Sequence, residues 1–577
     1  MTMQNSDCPG AIGRTVADCI PGILKHQQPD GAIVLDPKAP FVFAQQAIFP
    51  LAFCHAGLDP DRRWKDSPDV AAAIRKLTGF LLSRSNEKGE MSYESYGFSL
   101  KNHVDQRLTY AWLEGLRILR EAGGDFDYRA WETVIRGACQ TIIERNLSHL
   151  IGIRRFVGRY AGTGMNHVAL YLPLVYRAGM LLNRPDFTEV ALPIARALAA
   201  DVHPDGYWEE HGDLLRRGGP TNLYNTLSHG GMALMAEWTG EPVFRAAVER
   251  STHFHSNFSH PDATTIELFD ERVRMRAEPM IWGLFGFTHT AEGRGVAIAH
   301  FKGWRASIAG SLDTVSPELL ARCCENFMYW HRGDIAPAPF ERRDHAAHLV
   351  LPGAVFRRGS WCVGLSCIAA TTPEDPAYRE NCFALDRQKI FSIWHEKTAL
   401  LIDGAHSKYQ PENSTFSAQA KYAADFYVCG GTVGEDGGRL VAAAAYKTFF
   451  GTVRIGILSD TALEIELSVD PAGNRGPFNA GFTLARRGDE ISALSGAVLK
   501  LGDGAFTKDA KELGGGFSYA GATIKGPAGF QLHWPLQPFN QYAADHKSSL
   551  AAWQPRVSVE LTPDAPRAVF SVQIDRH

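Results

Sequence analysis

Asn166 and His167 are adjacent, and Tyr224 follows beyond an acidic loop that reads Asp205-Gly206-Tyr207-Trp208-Glu209-Glu210-His211. An amide, an imidazole and a phenol together suit removal of a proton that lies beside a carboxylate. Such a proton is weakly acidic while the carboxylate stays charged. Donors that neutralise the carboxylate let charge flow into it as an enediolate, which is usually the largest electrostatic contribution. A base must then take the proton, and an acid must protonate the departing oxygen. Asn166-His167 falls at what reads as a helix N-terminus, where free N–H groups and the dipole favour an anion. Tyr224 falls near the start of another predicted helix, and a phenolate is a strong enough base where cations lower its pKa. The chemistry indicated is β-elimination in a uronate-containing glycan, giving a 4,5-unsaturated uronate end.

Other residues extend the set. His211 and His229 are candidates for the base or for positioning it. Arg276 and Arg294 are candidates for gripping a carboxylate, because a guanidinium fork matches its shape. Tyr409 offers a second phenol, and Trp208, Trp282 and Trp304 offer faces for sugar rings. Taken singly, each has an ordinary structural explanation: a helix cap, a packed ring or a solvated charge. Their occurrence together in this order is what the ordinary explanation does not predict. Two rival classes stand beside the lyase. An inverting glycoside hydrolase would use carboxylates from Asp205, Glu209, Glu210 and Asp213, and a glycan-binding protein would use the same rings without turnover.

The elements that must position these residues are legible. Apolar spacing near 3.6 predicts helices over Val70–Leu82, Leu108–Ala122, Trp131–Ile143, Val168–Leu182, Val190–Ala200 and Leu223–Trp238. Gln28-Pro29-Asp30-Gly31 and His203-Pro204-Asp205-Gly206 resemble each other, which suggests stacked helical hairpins closing into a toroid. After the Pro-rich joint Ile335–Phe340 the pattern changes to short β-branched or alternating runs. These are Trp361–Ala370, Lys389–His395, Ala399–Asp403, Thr452–Leu458, Ala462–Val469, Arg556–Leu561 and Ala568–Ile574. Many short strands with Gly-rich turns read as a sandwich. The expected fold class is α+β and multidomain: an (α/α) toroid over 1–335 that carries catalysis, then an antiparallel β-sandwich over 345–577.

Composition agrees with an enzyme of this size. The chain has 577 residues and a formal net charge of −4, with 45% hydrophobic and 21% charged residues. That length calls for more than one core. The charge balance argues against a nucleic-acid partner, because phosphate binding needs a basic surplus. No apolar run approaches a membrane span, and the N-terminal residues show no secretory signal. A cytoplasmic protein with reduced, mostly buried cysteines is expected. Its expected partner is an acidic oligo- or polysaccharide, with no nucleic acid and no membrane, and a homodimer is left open.

The Asn166-His167 pair, the Asp205-Gly206…Glu210 loop and Tyr224 resemble the corresponding stretches of heparinase II/III-type and oligoalginate-type polysaccharide lyases. The resemblance runs from roughly Gly164 to Phe416. It implies a helical toroid followed by a β-sandwich. It also implies that Asn166 and His167 contact the uronate carboxylate, with His167 able to serve as base on one epimer. Tyr224 would then be the general acid, or acid and base together. The segment Ala399–Tyr409 is similar to a β-domain stretch of these lyases. Where they often carry a His-rich run, this chain has Glu380-Asn-Cys-Phe-Ala-Leu-Asp386. No cofactor and no metal are therefore expected, and His395, Asp403 and His406 are the substitute ligand set to check.

Overall fold

Helix boundaries follow from caps and apolar stripes. The carboxylate of Asp105 accepts hydrogen bonds from the backbone N–H groups of Arg107 and Leu108, and it opens the Gln106–Glu121 helix. That helix buries Leu108, Ala111, Trp112, Leu116 and Leu119 on its inner side. Ser67 caps Pro68–Arg84 in the same way, with proline at the first turn, where its missing N–H costs nothing. The computed structural model describes residues 7–36, 40–95, 98–156, 164–210, 218–272, 279–370, 381–419, 424–474, 476–502, 504–543 and 545–575.

The chain divides into two compact units. One comprises Met1–Glu210, Tyr224–Ser256 and Glu278–Ala338, and the other His211–Leu223, Asn257–Ala277 and Pro339–His577. The first unit is helical. Met165–Leu181 packs on Pro185–Ala200 and on Gln106–Glu121, which in turn packs on Ile48–His55 and Tyr128–Ile142. Cys8–Lys25 packs on Pro317–Met328, so the first helix meets the last and the ring closes. A hairpin of Met91–Ser95 with Phe98–His103 interrupts the helices. It has no counterpart in the sequence reading.

The two similar connectors form the same turn. Gly31 N donates to Gln28 O at 2.9 Å, and Gly206 N donates to His203 O at 2.8 Å. Both glycines have positive φ, at 100° and 93°, a region that costs glycine little. A Cβ at either would strike a backbone carbonyl, that of Lys76 or of Arg250. The structure adds two more copies: Gly89 N bonds to Asn86 O, and Ala263 N bonds to His260 O, each at 2.9 Å. The repeat is thus broader than the sequence shows, because only the backbone geometry is kept.

The second unit holds two antiparallel sheets. One runs Gly430–Asp436, Arg439–Ala445, Phe450–Ser459, Ala462–Asp470, Arg567–Ile574, Ala522–Lys525, Gly516–Tyr519, Glu490–Ala493 and Val498–Lys500. The other runs from Phe506–Asp509 through Phe530–Leu536, Gln554–Leu561, Phe478–Leu484, Ala399–Asp403, Phe391–His395, Trp361–Ser366 and Gly353–Arg358 to Asp344–His348. Alternation supplies the core between them. Val453, Ile465, Leu467, Phe570 and Val572 come from the first sheet, and Val363, Ile393, Phe482 and Val557 from the second. Phe482 and Phe570 meet edge-on at 5.2 Å across the layer. The fold class is α+β, a helical toroid with an antiparallel β-sandwich.

Candidate active site

The Met165–Leu181 helix begins at Gly164, whose extended backbone (φ −61°, ψ 145°) turns the chain into the first turn. Asn166 in that turn is only 4% exposed, and its side-chain oxygen has no hydrogen-bond partner. An unmet buried acceptor costs about 1–3 kcal/mol, a penalty that a ligand donor removes. His167 is half-buried, and its Nδ1 lies 2.9 Å from Nε2 of Gln106. An amide nitrogen can only donate, so Nδ1 accepts and the imidazole proton sits on Nε2. Gln106 is the first residue of its own helix, after the Asp105 cap. Sequence reading missed it, because nothing in the spacing of Gln106 and His167 reveals that their helices start side by side.

The acidic loop ties Tyr224 to this region. Trp208 N donates to Asn225 Oδ1 at 3.0 Å, and Asn225 Nδ2 lies 2.9 Å from His255 Nε2. Glu210, at the end of the loop, is 3% exposed. A Cβ at Gly164 would overlap both Glu210 Oε1 and Asn166 Oδ1, so those two oxygens share the space beside the helix start. Tyr224, next to Asn225 in the first turn of Asn222–Thr239, is half-buried. Farther along that helix a Cβ at Gly231 would land on the carbonyl of Ala169. Glycine there lets the helix bearing Tyr224 approach the one bearing Asn166 and His167. It costs about 1 kcal/mol of helix propensity relative to alanine.

Other candidates lie elsewhere. Arg294 donates to the carbonyls of Thr288 and Asp334, both at 2.6 Å. Thr288 accepts from the backbone N–H of His331, and His331 reaches Glu237. Glu237 is about 20 Å along the helix from Tyr224 at roughly 1.5 Å per residue. Arg294 therefore belongs to the far end of that helix and does not join the first-turn residues. His229 is fully buried and stacks on Phe287 at 4.1 Å. Burial, with His289 adding to it, pushes its imidazole down to about 3. It is neutral and enclosed, which removes it as a candidate base. Trp208 is 3% exposed and donates its indole N–H to Leu198 O, so it braces the loop and has no face open to a sugar. Trp304 is buried too, and Trp282 faces the Arg322 guanidinium at 4.8 Å.

Tyr409 belongs to the second unit, where its half-exposed ring sits 5.0 Å from Lys408 Nζ. His211, Asp213 and Arg276 lie outside the described residues. Among the hydrolase carboxylates, Asp205 sits 3.2 Å from His203 Nδ1 and Glu209 sits 3.2 Å from Arg155 Nη2. The substitute metal set does not assemble. His395 Nε2 bonds to Asp460 O and its Nδ1 accepts from Lys397 N. His406 Nε2 bonds to Leu268 O and its Nδ1 accepts from Gln388 N. Both rings are committed to backbone. Asp403 accepts from Ala405 N and Gln554.

No family model matches the sequence, and no curated protein matches it. Solved structures match its fold. Heparinase III aligns over 95% of this chain and 80% of its own, with a TM-score of 0.54 at 11% identity. The heparan sulfate lyase HepC from Pedobacter heparinus aligns over 91% and 93%, with a TM-score of 0.33 at 10% identity. A sugar epimerase from a ruminal bacterium covers 56% of this chain and 98% of its own, with a TM-score of 0.42 at 12% identity. The chain carries the fold of heparinase III, a polysaccharide-lyase type of helical toroid and β-sandwich.

Proposed function

We propose that this protein is a lyase that cleaves a uronate-containing glycan by β-elimination, leaving a 4,5-unsaturated uronate at the new end. The observation that carries the reading is the contact between Gln106 and His167 at 2.9 Å, beside the buried, unmet amide oxygen of Asn166. With the proton held on Nε2, His167 is a donor, as carboxylate neutralisation requires. Its assigned task is to bind the carboxylate with the Asn166 NH2 group, while Tyr224 moves the protons. The Asn166 oxygen, next to Glu210, is suited to a donor such as a sugar hydroxyl. Helix N-termini at Gln106 and Met165 add positive partial charge where the enediolate forms.

As charge builds on the carboxylate, the donors strengthen, so they contribute more to the transition state than to the bound substrate. Tyr224 is assigned the C5 proton and its delivery to the departing glycosidic oxygen. The step breaks the C4–O bond and forms the C4–C5 double bond without water. A panel of uronate-containing oligosaccharides, followed at the ultraviolet band of the unsaturated product, tests this directly. New reducing ends without that band would indicate a hydrolase. Binding with neither product would indicate a glycan-binding module.

A further inference from the structure

Three ligand-bearing side chains meet at the far end of the Tyr224 helix. Glu237 lies in the last turn of Asn222–Thr239, His289 just after the short helix Leu284–Phe287, and His331 just after Pro317–Met328. Glu237 Oε1 is 2.7 Å from His331 Nε2 and 3.2 Å from His289 Nε2. The two imidazoles face each other with centroids 4.2 Å apart, and the three donor atoms all lie within 4.8 Å of one another. Among the described residues no other set of histidine, cysteine and carboxylate donors converges in this way.

A second observation comes from His289. Its side chain is 9% exposed, and its Nε2 is held 3.2 Å from Glu237 Oε1. A buried imidazole nitrogen aimed at a carboxylate oxygen, with a second imidazole on the same oxygen, presents the donor atoms that a divalent cation takes. Around the cluster, Thr288 Oγ1 accepts from His331 N at 3.0 Å, and Arg294 links the carbonyls of Thr288 and Asp334. Both histidine-bearing segments are thus held from the backbone, which is the support that metal ligands need.

We propose that Glu237, His289 and His331 form a binding site for a zinc-class divalent ion. Two imidazole nitrogens and one carboxylate oxygen make a donor set suited to zinc, cobalt or nickel rather than to magnesium or calcium. Bonds of about 2.0–2.2 Å place tetrahedral ligands about 3.3 Å apart, which the His289 separation of 3.2 Å matches and which the 2.7 Å His331 contact reaches by a small outward turn of that exposed ring. His331, 38% exposed, leaves a solvent side where water completes the shell. The ion joins the end of one helix to two loops about 20 Å along the helix from Tyr224. Its role there is to tie the ring together, and it takes no part in the proton chemistry proposed for Tyr224.

Metal binding is read without any glycan, so the outcome is independent of the lyase assignment. The full-length protein is stripped by prolonged chelation, dialysed, and titrated with Zn²⁺ by calorimetry and elemental analysis. Co²⁺ is used in parallel for its tetrahedral absorption bands. One equivalent of Zn²⁺ is expected, with a rise in Tm, and at least tenfold weaker uptake in His331→Ala and Glu237→Gln. His331 is exposed enough that its replacement keeps the fold, which circular dichroism checks. Absence of stoichiometric uptake overturns the proposal. So does uptake that is unchanged in both variants, because the ion would then sit elsewhere.

Discussion

Gln106 Nε2 stands 2.9 Å from His167 Nδ1, and each residue lies in the first turn of its helix. The Asp105 cap fixes where the first helix starts, and that register puts the Gln106 amide against the imidazole. The tautomer of His167, and hence whether it donates or accepts towards a substrate, follows from this single contact.

Gln106→Glu should reverse it. A carboxylate in that place accepts from Nδ1–H, favours the imidazolium and shifts the neutral tautomer. We expect kcat to fall by up to about 10²-fold and the pH–rate profile to move upward. Gln106→Leu should lower kcat without that shift. A profile identical to wild type in Gln106→Glu would show that the contact does not govern His167.

Tyr224→Phe should abolish turnover while folding and oligosaccharide binding persist. It removes one hydroxyl used in proton transfer, a contribution of about 10²–10⁴-fold. Calorimetric binding together with single-turnover kinetics separates the two effects. Turnover near the wild-type rate would remove Tyr224 from the mechanism.

Much of the arrangement was readable from spacing alone. Ala462–Asp470 alternates, and the observed strand differs from the predicted one only at its end. Asn222–Thr239 matches the predicted helix within a turn, because Leu223, Leu227 and Leu234 mark its stripe. What spacing does not encode is which helix ends meet. Arg294 looked like a carboxylate clamp from its residue type, yet tertiary contacts spend it on two carbonyls. Gln106 has no local signature at all. Glu237, His289 and His331 lie in separate elements, so only tertiary packing brings them together. Trp208 offers a face for a sugar ring from its residue type, but the ring is buried against the loop it braces.

Asn166→Asp keeps the shape and reverses the electrostatics. A second carboxylate beside the uronate opposes charge development, so kcat/KM should drop by about 10²–10³-fold, with most of the loss in kcat. The loss should shrink on a substrate whose uronate is esterified. An equal loss on both substrates would mean that Asn166 does not meet the carboxylate.

Gly231→Ala tests the approach of the two helices. The added methyl meets the Ala169 carbonyl, which is backbone and yields only if a helix moves. We expect about 1–3 kcal/mol of lost stability from overpacking, measured by urea denaturation, together with a fall in kcat. Full stability with full activity would show that the helices shift without consequence.

The last prediction concerns acid. His255 is 1% exposed, packs against Phe254, Phe287 and His229, and lies 2.9 Å from Asn225 Nδ2. Burial above all, with His229 and His300 adding to it, holds its imidazole well below the ordinary value of 6.5. The folded protein therefore keeps His255 neutral at pH values where the unfolded chain takes up a proton. Its contribution to stability is present in full above about pH 6.5 and is lost as pH falls below that, by at most about 1.4 kcal/mol per pH unit. Protonation would also turn Nε2 into a donor facing the Asn225 amide nitrogen, which is itself a donor. The anchor between Asn225 and Trp208 would loosen at the same time. Unfolding free energies of wild type and His255→Gln, measured by urea from pH 7 to pH 4, should show a shallower acid slope in the variant. Parallel slopes would mean that His255 takes up no proton on unfolding in this range.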